Sequence, residues 1–427
     1  MEEVEKYLER LFPIMRSITG EGVRQTLDIL NEICSLEKIE VETGKKVFDW
    51  CVPKEWVVRK AYVITPNGQK ICDIKENNLH LVNYSIPYKG VLSLEELQEH
   101  LHSLPEKPDD IPYITSYYKP RWGFCLSEND RKKLISGNYE VVIDTELVDG
   151  SLTIGEINIP GDTEELILFS SYICHPNMAN DELCAPLALT YLANELSKFK
   201  YRKYSYRVVL LPETIGSLVY LDRCGKQLKD KMIAGYTLSN IGQSKPFRYK
   251  SSRIGNTLSD RAIKIALKNT KSGCDKFSNF EPVGSDERQY CSPGFNLPVG
   301  SITRGEYAFN EYHCSADTLK LVSEENIQET VRMMLEICNI VESNERYINK
   351  YPYGEPNLGK HGLYPTIGAT SEREDLLLAQ LWVLNYSDGD HDLIAISETS
   401  QLPYNLIVDA ANNCKKAGLI GVSGREF

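Results

Sequence analysis

The sequence predicts an α/β protein built on a central, partly parallel sheet. Three observations carry this. Apolar, strand-like runs at 166–173 and 206–211 alternate with helical patterns at 185–199 and 324–343. Between about 47 and 159 the texture changes to short strand candidates with Pro and Gly punctuation, which reads as a β-rich segment inserted into the core. After a Pro- and Gly-containing linker at 351–356, three short helical patterns and a final apolar piece make a small domain of their own.

The elements follow in order. Leu8, Leu11 and Met15, then Val23, Leu27 and Leu30, recur at helical spacing and give two helices within 4–36. The turn between them, Arg16-Ser17-Ile18-Thr19-Gly20-Glu21-Gly22, carries two glycines. Strands are expected at 47–50 and 56–64, a turn at Pro66-Asn67-Gly68, and one helix at 94–103 inside the β-rich segment. The last domain should hold helices at 372–384, 392–397 and 403–417 and an apolar piece at 419–422. The expected organisation is therefore a main domain from 1–45 and 155–350, an inserted domain at 46–154 and a C-terminal domain at 355–427.

Bulk properties exclude several classes. The net charge of -12 argues against a generic nucleic-acid surface, which needs clustered Lys and Arg. No apolar run reaches the roughly 18 residues of a membrane span. The charged stretch from Met1 to Arg10 lacks the apolar core of a signal peptide, so a cytoplasmic protein is expected. The twelve cysteines are scattered without a CxxC pair, as reduced thiols are.

With seven histidines, each can be weighed. His80, His100, His102, His361 and His391 have no ligand-like company and read as surface or packing residues. His175 sits just past the end of a buried strand and is followed by Asp181 and Glu182. Ligands in open α/β sheets gather at the carboxyl ends of strands, and an imidazole with carboxylates suits Zn²⁺. The next strand ends in Leu210-Leu211-Pro212-Glu213. A carboxylate there is costly to bury without a partner, which makes Glu213 a candidate general base as well as an ordinary first-turn Glu. Two further clusters, Gly284-Ser285-Asp286-Glu287 and Tyr312-His313-Cys314-Ser315-Ala316-Asp317-Thr318, complete an ordered series of His, Asp, Glu, Asp and His.

That series resembles the zinc aminopeptidases and glutamate-carboxypeptidase-like exopeptidases, which share a phosphorylase/hydrolase-like fold. The resemblance spans roughly 1–45 and 155–345. Met15 to Gly22, Ser170-Ser171-Tyr172-Ile173-Cys174-His175-Pro176 and the tail narrow it to bacterial and archaeal aminopeptidase-like proteins often named for polysaccharide biosynthesis. It implies an aminopeptidase-like three-layer core with a mixed sheet, an inserted β domain and a C-terminal winged-helix-like domain. It also implies zinc held by His175, Asp181, Asp286 and His313, Glu213 as general base, and Tyr312 or Arg304 gripping substrate or oxyanion.

Two departures stand out. Thr214 occupies the place of a carboxylate metal ligand, so one zinc site is complete and a second falls short, unless Glu182 or Glu287 supplies the missing oxygen. Asn177 replaces the Asp that orients the first histidine, and can still accept its ring N–H. The implied substrate is a small peptide or amide. The alternatives are an amidase or deacylase on a sugar-linked amide, and a metal-binding scaffold without activity. From Glu355 to Phe427 there are ten acidic and five basic residues, which argues against DNA binding and leaves a packing or homo-oligomerisation role.

Overall fold

The computed structural model describes residues 3–363 and 371–423. It comprises two compact units, Met1–Asp260 with Leu267–Leu335, and Arg261–Ala266 with Glu336–Phe427.

The first unit is organised by an eight-stranded mixed sheet. Its strands run in the order Glu37–Glu42, Ser151–Ile159, Ser205–Leu211, Leu166–Tyr172, Met232–Leu238, Val299–Arg304, Phe247–Lys250 and Cys274–Ser278. The four central strands are parallel, and antiparallel neighbours flank them. All residues of Leu166–Tyr172 are buried, as expected of a strand covered on both faces. In register, Tyr172 lies opposite Leu211. His175 and Glu213, which follow these two strands, therefore emerge at the same sheet edge.

The inserted segment leaves and rejoins at adjacent points, because Glu42 pairs with Ser151 across an antiparallel ladder. The main sheet thus resumes at Ser151, ahead of the expected boundary at 154. Inside the insertion, Lys70–Ile71, Glu55–Ile64, Asn138–Val148 and Tyr88–Ser93 form a four-stranded antiparallel sheet. Its buried Val63, Tyr139 and Val141 belong to one apolar cluster with Leu152, Leu211 and Val219 of the main sheet and its helix.

Two local expectations are corrected. The helix foreseen at 94–103 covers only Leu94–Gln98. A Ser93/Glu96 capping box starts it, but Leu101–His102 turns into a strand beside Phe124–Cys125, and His100 stacks on Trp122. The strand foreseen at 47–50 is a small hairpin of Lys46–Val47 and Trp50–Cys51, with Phe48 at positive φ. The helices Cys184–Ser197 and Glu324–Ser343 fall where helical spacing placed them.

The second unit carries a three-stranded sheet of Asp388–Asp392, Arg346–Asn349 and Ile420–Val422, with helices Ser371–Tyr386, Leu393–Ser400 and Tyr404–Lys416. It begins earlier than position 355, because the Arg346–Asn349 strand pairs with both other strands. Residues 351–355, expected as the linker, are exposed and irregular but form a loop inside this unit, after its first strand. Among the described residues no helix is long and apolar enough to cross a membrane.

Candidate metal centre

The site is built on the ends of two parallel strands and the start of a helix. After Leu166–Tyr172 the chain passes His175 and enters a π-helical turn, Ala179–Leu183, that runs into the Cys184–Ser197 helix. Such turns are rare and recur at functional sites. This one presents Asp181 and Glu182 in succession, both fully buried. Asp317 holds the turn in place by accepting the backbone N–H of Asn180 at 2.7 Å and of Asp181 at 3.0 Å.

Asp181 and Glu182 have different tasks. Asp181 Oδ1 accepts the Tyr172 hydroxyl at 2.7 Å, and its Oδ2 lies 3.2 Å from His313 Nε2. Neither Asp181 Oδ2 nor His313 Nε2 has a hydrogen-bond partner, although both atoms are buried. Together with His175 they place three ligand-type atoms within 4.8 Å of one another. Two imidazoles and one carboxylate suit a catalytic zinc site with an open position, and the unpartnered atoms are those a cation would satisfy. Burial alone would raise the Asp181 carboxyl, but His313, His175 and the Tyr172 hydroxyl outweigh it and hold it below its usual range.

Glu182 faces the other ring nitrogen. His175 Nδ1 lies 2.8 Å from Glu182 Oε2, while Arg16 Nε stands 3.9 Å from Glu182 Oε1 and donates to the His175 carbonyl at 2.8 Å. Arg16 and Glu182 are both fully buried. The orienting role expected of Asn177 therefore belongs to Glu182, and the Asn177 side-chain oxygen is buried without a partner. Glu182 is thereby committed through Oε2, while its Oε1 is buried without a hydrogen-bond partner on the side of Arg16. Glu287 is committed too, to Lys250 at 2.5 Å. Cys174, His175 and Glu182 also form a compact trio, but the Cys174 thiol is pushed up to about 11 by burial and accepts the Glu213 backbone N–H. We read that trio as the support of the His175 ring.

Glu213 sits beside the three ligand atoms. Its Oε1 accepts the Ser285 hydroxyl at 2.8 Å and its Oε2 lies 3.9 Å from His175 Nε2. Burial raises the carboxyl above its ordinary range, against the pull of His175. The next residue, Thr214, adopts φ 65 and ψ -71, and the Ile215 N–H returns to the Glu213 carbonyl at 2.8 Å. This is a γ-turn of the rare, strained kind, unusual for a β-branched residue. Asp286 braces it: Oδ1 accepts the Thr214 N–H at 2.7 Å and the Ser217 hydroxyl at 2.8 Å. Asp286 lies outside the three-atom group, with Oδ2 buried and unpartnered. Burial and the neighbouring Glu213 push its carboxyl up to about 8.

The two substrate-binding candidates separate. Tyr312 stacks on the His313 ring, centroids 3.7 Å apart, and lines the adjoining cleft. Arg304 is corrected to a core residue. It is fully buried over Phe247, pairs with Glu329 at 2.7 Å and bonds Ser272, which leaves nothing for a substrate. The structure adds groups that the sequence did not single out. Tyr113, from the insertion, packs its ring against His175 and His313, donates its N–H to the His313 carbonyl at 2.9 Å, and shares a hydrogen bond with Tyr117. No periodicity marks it, because its position depends on a long-range loop contact. None of the twelve cysteines is in a disulfide.

Comparison with known proteins places the architecture. The chain is 43% identical over 435 residues, 98% of this chain and 99% of the other, to a Clostridium acetobutylicum protein provisionally named for polysaccharide biosynthesis and an aminopeptidase-like domain. A crystal structure of a provisionally named peptidase from the same organism matches with a TM-score of 0.91 at 42% identity, covering 98% of this chain and 96% of that one. The zinc aminopeptidase of Bacillus subtilis shares the fold at a TM-score of 0.57 and 10% identity, over 78% of this chain and 93% of its own. Residues 345–422 match a winged helix-turn-helix model. Residues 5–344 match the model of a domain of unknown function, and the chain belongs to that family, DUF4910.

Proposed function

We propose that the protein is a zinc-dependent amide hydrolase of the aminopeptidase type, with His175, Asp181 and His313 as ligands, Asp286 Oδ2 as the fourth protein ligand, and Glu213 as general base. The observation that carries this is the pair of buried, unpartnered atoms Asp181 Oδ2 and His313 Nε2, 3.2 Å apart and beside both His175 and Glu213. A bound zinc ion supplies Lewis-acid polarisation of the scissile carbonyl. Glu213 takes a proton from the attacking water and passes it to the amine that leaves as the C–N bond breaks. The Ser285 hydroxyl fixes Glu213 Oε1 and leaves Oε2 free for this transfer. Tyr113, buried against both histidine rings, and the partly buried Tyr117 hydrogen-bonded to it exclude bulk water. Hydrolysis of aminoacyl p-nitroanilides tests the reading, and adding N-acylated amino sugars to the panel separates peptide from sugar-linked amides. No turnover of either class by zinc-loaded protein would overturn it.

One tightly held ion per chain is expected. Thr214 offers only a hydroxyl, and that oxygen accepts Arg288 Nη2 at 3.0 Å. Elemental analysis after dialysis against metal-free buffer should give a stoichiometry near one; a value near two would contradict the single site. We place the protein in the cytoplasm on its twelve scattered cysteines, which include no CxxC pair.

The winged-helix unit belongs to this proposal as a packing or oligomerisation module. From Glu355 onward it carries ten acidic against five basic residues, the wrong balance for gripping phosphates. The full chain should show no duplex-DNA binding at physiological salt in an anisotropy titration. Sub-micromolar binding would assign this unit to DNA instead.

A further inference from the structure

The cleft beside Glu213 encloses about 430 Å³ and is lined by Tyr307, Tyr312 and four basic residues, Arg248, Lys250, Lys276 and Arg288. These cations are not equivalent. Arg248 is forked onto Asp275 at 2.9 and 3.0 Å and reaches Glu306 at 3.3 Å. Lys250 is neutralised by the buried Glu287. Lys276 and Glu281 are exposed to solvent.

Arg288 differs from all of them. Among the described residues its one hydrogen bond goes to a neutral oxygen, Thr214 Oγ1, and its Nε is buried without a partner. Among the described residues no carboxylate pairs with it. A guanidinium keeps its charge at any ordinary pH and offers five donors in a planar fork. Holding that fork half-buried and unpaired is unfavourable unless an anion completes it.

We infer that Arg288 is a specificity-determining residue that receives the side-chain carboxylate of an N-terminal Asp or Glu in the substrate. The inference rests on the aminopeptidase reading of Glu213. In that reaction the α-carboxyl carbon of the N-terminal residue is itself the scissile carbonyl. The acidic group left for a cation bonded to the residue next to the base is then the side-chain carboxylate. A basic side chain in the cleft would set two cations together, and an apolar one would cover Arg288 without pairing it. A carboxylate satisfies the fork in two parallel bonds.

The test compares L-glutamate with L-glutamine as hydrolysis products, by calorimetric titration of the zinc-loaded full chain. The two share their α-groups and differ in side-chain charge. Glutamate should bind on the order of 10- to 100-fold more tightly. Arg288→Gln should bring the two ligands to parity, and Arg288→Lys, which keeps the charge but loses the fork, should fall between. Thermal melting checks that each variant folds, and if the Gln variant does not, the partial loss in the Lys variant decides. Equal affinity for the two ligands in the unaltered protein, no binding of either, or a preference that survives Arg288→Gln would each overturn the assignment. Glutamate preference without cleavage of glutamyl p-nitroanilide would instead remove the aminopeptidase reading and leave the Arg288 carboxylate site standing.

Discussion

Glu213→Gln is expected to lower kcat by about 10²–10⁴-fold while the protein keeps its metal. The substitution is nearly isosteric. The Gln carbonyl can still accept the Ser285 hydroxyl that Glu213 Oε1 accepts at 2.8 Å, so the side chain should stay in place. What is lost is the second carboxylate oxygen, which faces His175 Nε2 at 3.9 Å and is the one free to take a proton. The three gathered ligand atoms belong to His175, Asp181 and His313, so metal content should not change. The turn that carries Glu213 should also persist, since Asp286 fixes it through the Thr214 N–H and the Ser217 hydroxyl. Elemental analysis and p-nitroanilide kinetics on the same preparation separate the two effects. Full activity in the variant would remove Glu213 from the mechanism, and loss of metal would make it a ligand.

The fold was legible where one local signal dominates. The seven-residue run Leu166–Tyr172 is apolar or small throughout because the strand is covered on both faces, and such a run announces itself. The helix Glu324–Ser343 shows its period over many turns. The stretch near 100 misled because Leu97, Leu101 and their neighbours fit helical spacing, while the deciding interaction, His100 on Trp122, joins residues far apart in sequence. The centre shows the same division. His175, Asp181 and His313 could be picked out because strand ends and the order of motifs point to them. Glu182 stood in plain view beside Asp181, but only the π-helical turn reveals that consecutive carboxylates serve different atoms. Arg304 reads from sequence as a substrate group, and Arg288 is not singled out there, for a related reason. Sequence does not distinguish an arginine saturated by Glu329 and Ser272 from one left half-satisfied in a cleft.

The buried Arg16 and Glu182 should prove as important to the centre as the ligands themselves. Glu182 Oε2, 2.8 Å from His175 Nδ1, fixes the tautomer that leaves Nε2 free for a metal and raises the basicity of the ring. Arg16 lies against the other oxygen of Glu182, and its guanidinium also ties the His175 carbonyl and the Leu11 carbonyl, at 2.8 and 2.7 Å, to the turn between the first two helices. Glu182→Gln keeps an acceptor and removes the charge. It should weaken zinc binding by about 10–100-fold, the usual scale for losing an outer partner of a metal-binding histidine. Arg16→Met acts differently, because it leaves the Glu182 carboxylate buried without its cation. Breaking a buried pair from one side costs about 3–5 kcal/mol, so this variant should melt at a clearly lower temperature even when zinc is absent. In the double variant the stranded charge is gone, and much of that loss should return, since residues in contact do not contribute additively. Competition with a zinc chelator reads the first effect, and thermal melting of the apo proteins reads the second. Unchanged zinc affinity in Glu182→Gln would mean that the His175 ring is held by something other than this carboxylate. A double variant no more stable than Arg16→Met would mean that Arg16 acts through its two backbone carbonyls rather than through Glu182.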